Sequence, residues 1–207
     1  MKILVFGAAG RTGREVVIAA LSQGHEVTAF LNQQNLGKTK KLAHFHGDVT
    51  DSDSVLEAMQ PGFEAVISCL GNNHTNETQE NSCSTGLKNI INCMYITGIT
   101  RLICVSSLGL DPDFNSFYFN TIVEPLFLRD IHVDLSQMEK YITNSKLNWT
   151  IIRAPQLIDK ARTGSYQTTT IAPEAKLTQI SRSDLADFIL KELDQPNFLK
   201  QKVAIGY

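Results

Sequence analysis

Three glycines, each three residues from the next, constrain this chain more than any other feature. Residues 3–6, Ile-Leu-Val-Phe, form an unbroken apolar run, and Gly7, Gly10 and Gly13 follow before an amphipathic stretch begins. An unbroken apolar run marks a strand covered on both faces, as in a parallel sheet between layers of helices. A buried strand that turns at once into a helix needs a residue of free dihedral choice at its end, and Gly7 supplies it. At Gly10 the missing Cβ lets a diphosphate approach the main chain, and at Gly13 it lets the helix close on the sheet. The amides that open the helix have no partners within it, and with the helix dipole they favour an anion. Ala9, Arg11 and Thr12 complete the loop. The spacing is G-x-x-G-x-x-G, and the strand–turn–helix setting makes it a dinucleotide-binding signature. In another setting the same glycines would mean only a tight turn.

Strands and helices alternate from there on. The apolar patterns predict strands over Glu26–Leu31, Leu42–His46, Ala65–Leu70, Leu102–Val105, Trp149–Arg153 and Val203–Ile205. They predict helices over Arg11–Gln23, Ser52–Met59, Glu80–Thr97, Ile131–Ser145 and Arg182–Leu193, with Thr50 or Asp51 capping the second and Ser181 the last. Such alternation defines an α/β protein of the Rossmann type: a doubly wound, mainly parallel sheet with helices on both faces. The length of 207 residues suits one domain, 1–207, with residues from about 154 to 180 forming a small C-terminal lobe or lid. A short strand at Ser165–Thr170 is assigned to that lobe, Thr168, Thr169 and Thr170 being strand formers.

The 19 basic and 21 acidic residues leave a formal charge of −2, with no basic stripe for nucleic acid. No apolar run approaches the roughly 20 residues that cross a bilayer. The N-terminal apolar run is short and breaks into glycines, so it reads as a strand and not a signal peptide. Four cysteines without a C-x-x-C pair, Cys69, Cys83, Cys93 and Cys104, read as reduced thiols. The expectation is a cytoplasmic protein, monomer or homodimer, with no nucleic-acid or membrane partner. His44 and His46 share a strand face but lack a third ligand, so no metal is expected. His74 and His132 read as loop or surface residues, and Asp134 and Glu139 as helix-face charges.

The second strand bears on the choice of cofactor. An acidic residue about 20 positions beyond the glycines binds the ribose 2′-hydroxyl of NAD. Here that position is Asn32, and no carboxylate lies between Val27 and Ala43. Arg11 and Arg14 flank the loop, and Lys38, Lys40 and Lys41 follow the strand. NADP is therefore favoured, with NAD possible. Asp48 and Val49 stand just past the third strand, where a carboxylate and the next amide can meet an adenine edge. A simple turn aspartate is the other reading.

With "VFGAAGRTG", "GDVTD", "VISCLG", "VSSLG" and "WTIIRAP" in this order, the chain resembles the atypical short-chain dehydrogenase/reductases. Among them it is most similar to the NmrA-like NAD(P)H-binding group that includes biliverdin reductase B, also called flavin reductase. The likeness runs from Lys2 to about Phe188. It implies a nicotinamide over the carboxyl ends of the fourth and fifth strands. It also implies Cys69, Leu70 and Gly71 beneath the cofactor's ribose, Ser107 beside the nicotinamide with Ser106 adjacent, and Pro155 facing the ring. The chain departs from the wider superfamily in having no Tyr-x-x-x-Lys pair; the comparable spacing is Ser136 to Lys140. It departs from biliverdin reductase B in having Gln156 for a histidine and Asn32 for an arginine.

The resemblance implies an NAD(P)H-dependent reductase that transfers hydride to a planar conjugated acceptor such as a flavin or quinone. Such an acceptor takes its proton from solvent and asks little of the protein beyond positioning. Ser107 is the candidate catalytic residue. Lys140 either binds a ribose hydroxyl or is a surface lysine. Phe114, Phe117, Tyr118 and Phe119 either stack on a planar substrate or face the core or a second subunit. The alternatives are a non-catalytic NAD(P) sensor and a sugar-nucleotide epimerase or isomerase, which the missing tyrosine–lysine pair disfavours.

Overall fold

A computed structural model describes residues 1–32, 36–37, 40–60, 62–71, 82–111, 129–171 and 177–207. In chain order the strands and helices are β1 (Lys2–Phe6), α1 (Arg11–Ser22), β2 (Glu26–Leu31), β3 (Leu42–His46), α2 (Ser52–Met59), β4 (Ala65–Ser68) and α3 (Ser82–Thr97). There follow β5 (Arg101–Ser107), a 3-10 turn (Leu108–Leu110), α4 (Arg129–Thr143), β6 (Asn148–Ala154), β7 (Gln156–Ile158), β8 (Gln167–Thr169), β9 (Gln179–Ser181), α5 (Arg182–Asp194) and β10 (Gln201–Gly206).

Eight strands form one sheet in the order β3-β2-β1-β4-β5-β6-β10-β8. All run parallel except β8, which pairs antiparallel with β10. The strand order reverses between β1 and β4, so a crevice opens at their carboxyl ends, where open α/β sheets bind ligands. Alternation along β1 shows how the layers form. Ile3 and Val5 join the core under α1 and α5, whereas Leu4 and Phe6 join the core under α2, α3 and α4. All four are wholly buried, at about 1.5–3 kcal/mol each.

The short strand expected in the lobe belongs instead to the main sheet. Thr168 pairs with Ile205 and Thr169 with Ala204, giving β10 an outer neighbour. What remains of the lobe is the parallel pair β7 and β9, joined at Leu157 and Ile180. Asp184 ties the segment between them to α5. Its carboxylate accepts from the Thr163 and Gly164 amides, both at 2.8 Å, and from the Tyr207 hydroxyl at 2.7 Å. Burial alone would raise its pKa, but those donors outweigh it and hold the pKa down at about 2.

Candidate active site

The glycine turn has the form its spacing implies. Gly7 takes a φ of +70°, and a Cβ there would lie 2.4 Å from the Cys69 carbonyl oxygen. A Cβ on Gly13 would lie 2.2 Å from the Gly7 carbonyl oxygen, so α1 packs on the turn only because residue 13 is glycine. Gly10 is the N-cap of α1, no side chain caps that helix, and its first turn holds no acidic residue. Helices α2 and α5 are closed by their own N-cap side chains. Asp51 accepts from the Asp53 amide at the start of α2, and Ser181 from the Asp184 amide at the start of α5, both at 3.0 Å. The start of α1 is left with amides and dipole directed at a cleft.

That cleft has a volume of about 780 Å³. Gly7, Ala9, Gly10, Arg11 and Thr12 form one wall, and Asn32, Asp48 and Val49 another. Cys69, Leu70 and Gly71 lead on into a second hollow of about 270 Å³, whose walls include Ser106, Ser107 and Pro155. The two share Thr12, Cys69, Leu70, Gly71 and Leu157, so they form one elongated groove across the sheet's carboxyl edge. Gly13 lies behind the wall. Asp48 Oδ1 accepts from the Thr50 amide at 2.8 Å and the Thr50 hydroxyl at 2.7 Å. It is thus a turn aspartate that also lines the cleft. Asn89 fixes this loop by donating to the Val49 and Thr50 carbonyls at 3.1 and 2.9 Å, a role no sequence pattern signals.

Behind the second hollow lies a cluster of paired charges around Glu139, which the sequence pattern presents as a helix-face charge. Glu139 is only 3% exposed. It accepts from the Ser106 hydroxyl at 2.7 Å, from Arg153 at 2.8 and 3.1 Å, and from Lys202 Nζ at 2.8 Å. Arg153 also pairs with Asp111 at 2.6 Å. Burial alone would raise the Glu139 pKa, but the hydrogen bonds from Arg153, Lys202 and Ser106 outweigh it and hold Glu139 below the usual value. Asp134, also read as a helix-face charge, is buried and accepts from the Cys83 and Ser84 amides at the start of α3. His132 is buried too, its ring 3.0 Å from where a Cβ on Gly109 would stand. Amphipathic spacing shows which residues face inward only when those residues are apolar, so buried charges on the same face go unread.

The serines of β5 end up chemically distinct. Ser106 commits its proton to Glu139 and presents lone pairs, whereas Ser107 accepts from the Gly109 amide at 3.1 Å and keeps its proton to donate. Burial pushes the Cys69 thiol pKa up to about 12, so it lines the groove as a neutral thiol. Lys140, the other candidate catalytic residue, is exposed on α4 and stands in neither wall of the groove. Of the cations set beside a 2′-phosphate, Lys41 turns away to donate to the Gly24 carbonyl at 3.0 Å. Arg14 lines the cleft, its Nε donating to the Ala9 carbonyl at 2.9 Å, and Arg11 pairs with Asp159. Lys38 and the aromatic run Phe114, Phe117, Tyr118 and Phe119 lie outside the described residues. Among the described residues no three potential ligands gather for a metal, and no helix is long and apolar enough to cross a membrane.

An uncapped helix start, a glycine turn with no room for a Cβ at residues 7 and 13, and a groove at the sheet's switch point together define a nucleotide-binding protein of the doubly wound α/β class. The chain matches the model of the NAD(P)H-binding family over residues 7–196, and it belongs to that family. YwnB of Bacillus subtilis is 26% identical to it, over 99% of this chain and 98% of that protein. A short-chain dehydrogenase/reductase of Veillonella parvula solved with NADP superposes with a TM-score of 0.82 at 18% identity, covering 100% of this chain and 94% of that one. ChuY of Escherichia coli O157:H7, an anaerobillin reductase, superposes with a TM-score of 0.80 at 22% identity, covering 100% and 97%. At these identities the two solved structures share the fold with this chain.

Proposed function

We propose that this protein is an NADPH-dependent reductase of planar conjugated acceptors such as flavins or quinones. The observation that carries the reading is the continuity of the glycine-lined cleft with the hollow over Ser106 and Ser107. The α1 amides and glycine turn hold the diphosphate, Asn32, Asp48 and Val49 border the adenosine end, and Leu70 and Pro155 flank the far end. Bound there, the dinucleotide supplies a hydride to an acceptor in the hollow. Ser107 directs its proton into the hollow and orients the acceptor's carbonyl. Ser106, held by Glu139, offers a hydrogen-bond acceptor to an amide or imide N–H. No described wall residue of the hollow is an acid suited to protonating an alkoxide, which fits acceptors that take their proton from water. NADPH is preferred over NADH because no carboxylate ends β2 and Arg14 lines the cleft. The buried free thiols Cys83, Cys93 and Cys104 fit work in a reducing cytoplasm.

The test is steady-state oxidation of NADPH with FMN, dichlorophenolindophenol and a panel of quinones. Turnover is expected, and Ser107→Ala should lower kcat by about tenfold while leaving NADPH affinity in place. Tight NADPH binding with no acceptor turned over would replace this reading with the sensor.

A further inference from the structure

The start of α5 brings a third arginine to the cleft, beside Arg11 and Arg14, that the glycine pattern does not announce. Arg182 is the first residue of that helix and lines the cleft beside the glycine turn. Its position is fixed from α1, because the adjacent Ser183 hydroxyl donates to Glu15 Oε2 at 2.8 Å. The Arg182 side chain is only 13% exposed. One terminal nitrogen donates to Asp159 Oδ1 at 2.6 Å, while the buried Nε has no hydrogen-bond partner among the described residues. Nε is half of the edge through which a guanidinium grips phosphate with two parallel hydrogen bonds. The second oxygen of Asp159 pairs with Arg11, which opens α1 directly after the turn. Asp159 itself is 57% exposed.

We propose that Arg182 and Arg11 form a cation pair that binds the cofactor's diphosphate, and that Asp159 occupies the pair until the diphosphate displaces it. The inference rests on the nucleotide reading above and concerns the same cleft. The asymmetry of burial gives the direction of exchange. Asp159 returns to water at little cost, whereas Arg182 is enclosed and needs an anion near it. Burial disfavours the Arg182 cation, and the charge of Glu15 only offsets this. A diphosphate brings more charge than one carboxylate and, in the cleft that Arg182 and the start of α1 both line, can meet the guanidinium that Asp159 gives up and the α1 amides together.

Calorimetric titration of the whole chain with NADPH and with NADH tests this without any acceptor. Arg182→Met should weaken both nucleotides by about tenfold or more and blunt the response to salt. Arg182→Lys should recover part of the loss. Asp159→Asn should tighten both by about threefold or more, since the competing carboxylate is gone, with thermal melts confirming that each variant is folded. Unchanged affinity in a folded Arg182→Met would overturn the proposal. So would a loss confined to NADPH, which would move the arginine to the 2′-phosphate, or a weakening in Asp159→Asn, which would make the trio a structural clasp. Wild-type protein that binds neither nucleotide would sink the functional reading itself.

Discussion

Two buried arginine–glutamate pairs stand at opposite edges of the same sheet, and their surroundings differ. At the amino edge Arg101 donates to Glu192 Oε1 at 3.1 Å and the Glu192 carbonyl at 3.0 Å. It also donates to the Asn148 carbonyl and Thr150 Oγ1, both at 2.9 Å. Glu192 further accepts from the Asn197 and Phe198 amides at 2.9 and 3.0 Å. Every partner is structural: the group ties β5, β6 and α5 to the segment leading into β10. At the carboxyl edge Arg153 and Glu139 make a pair of similar geometry, but one arm reaches Ser106 in the wall of the groove. The other reaches Asp111, just beyond the turn that Ser107 caps. The same chemistry anchors the chain at one edge and sets the polarity of a groove wall at the other.

The largest effect is expected at the amino edge. Glu192→Ala leaves the Arg101 cation buried and strips two amides of their acceptor, which should cost about 4 kcal/mol in urea unfolding. NADPH affinity of the fraction still folded should be unchanged, because no partner of Glu192 lines the groove. A folded Glu192 variant with weakened NADPH binding would break the contrast between the two edges.

Glu139→Gln should cost less, about 2–3 kcal/mol, because the amide still accepts one hydrogen bond. It should also raise KM for the acceptor with little change in NADPH affinity, since Ser106 no longer has a fixed proton direction. The pH dependence sharpens this. The folded pKa of Glu139 lies below its unfolded value, so its stabilisation is fully present above the ordinary glutamate range of about 4.3. It is lost as pH falls through the lower folded value. Melting temperature should therefore fall less steeply on acidification in Glu139→Gln than in the wild type. Asp184, with its pKa held at about 2, adds its own acid-side loss to both proteins, so the difference between them is the quantity to read. Parallel melting curves would mean that Glu139 is not the anion described here.

The two halves of the groove differ in how much of them the sequence reveals. The glycine half is built from the backbone of one short segment, so spacing alone exposes it: any residue but glycine at 7 or 13 would collide with main chain. The alternation of strands and helices is equally local, and it yields the layers and the cap at Ser181, and narrows the α2 cap to Thr50 or Asp51, of which the structure uses Asp51. The other half depends on pairs far apart in the chain. Ser106 and Glu139 are 33 residues apart, and Arg153 and Asp111 are 42 apart. Nothing in the local pattern of α4 separates buried Glu139 from the exposed lysine after it. The sequence assigns the strand at Ser165–Thr170 to the lobe because the pairing of β8 with β10 depends on the whole sheet, not on local composition.

That lysine supplies the smallest expected effect and the most direct check on the comparison. One residue along a helix turns the side chain by about 100°, so Lys140 points away from the groove while Glu139 points toward it. Lys140→Ala removes an exposed charge from α4 and should change stability by no more than about 0.5 kcal/mol. NADPH affinity and acceptor turnover should both match the wild type. A tenfold weakening of NADPH would require the cofactor's ribose to reach the exposed side of α4. The groove would then not end at the Ser106–Ser107 hollow, and Glu139, lying deeper on the same helix, would have to act on the cofactor before the acceptor. Paired titrations of Lys140→Ala and Glu139→Gln with NADPH thus decide which residue of this adjacent pair governs the carboxyl edge.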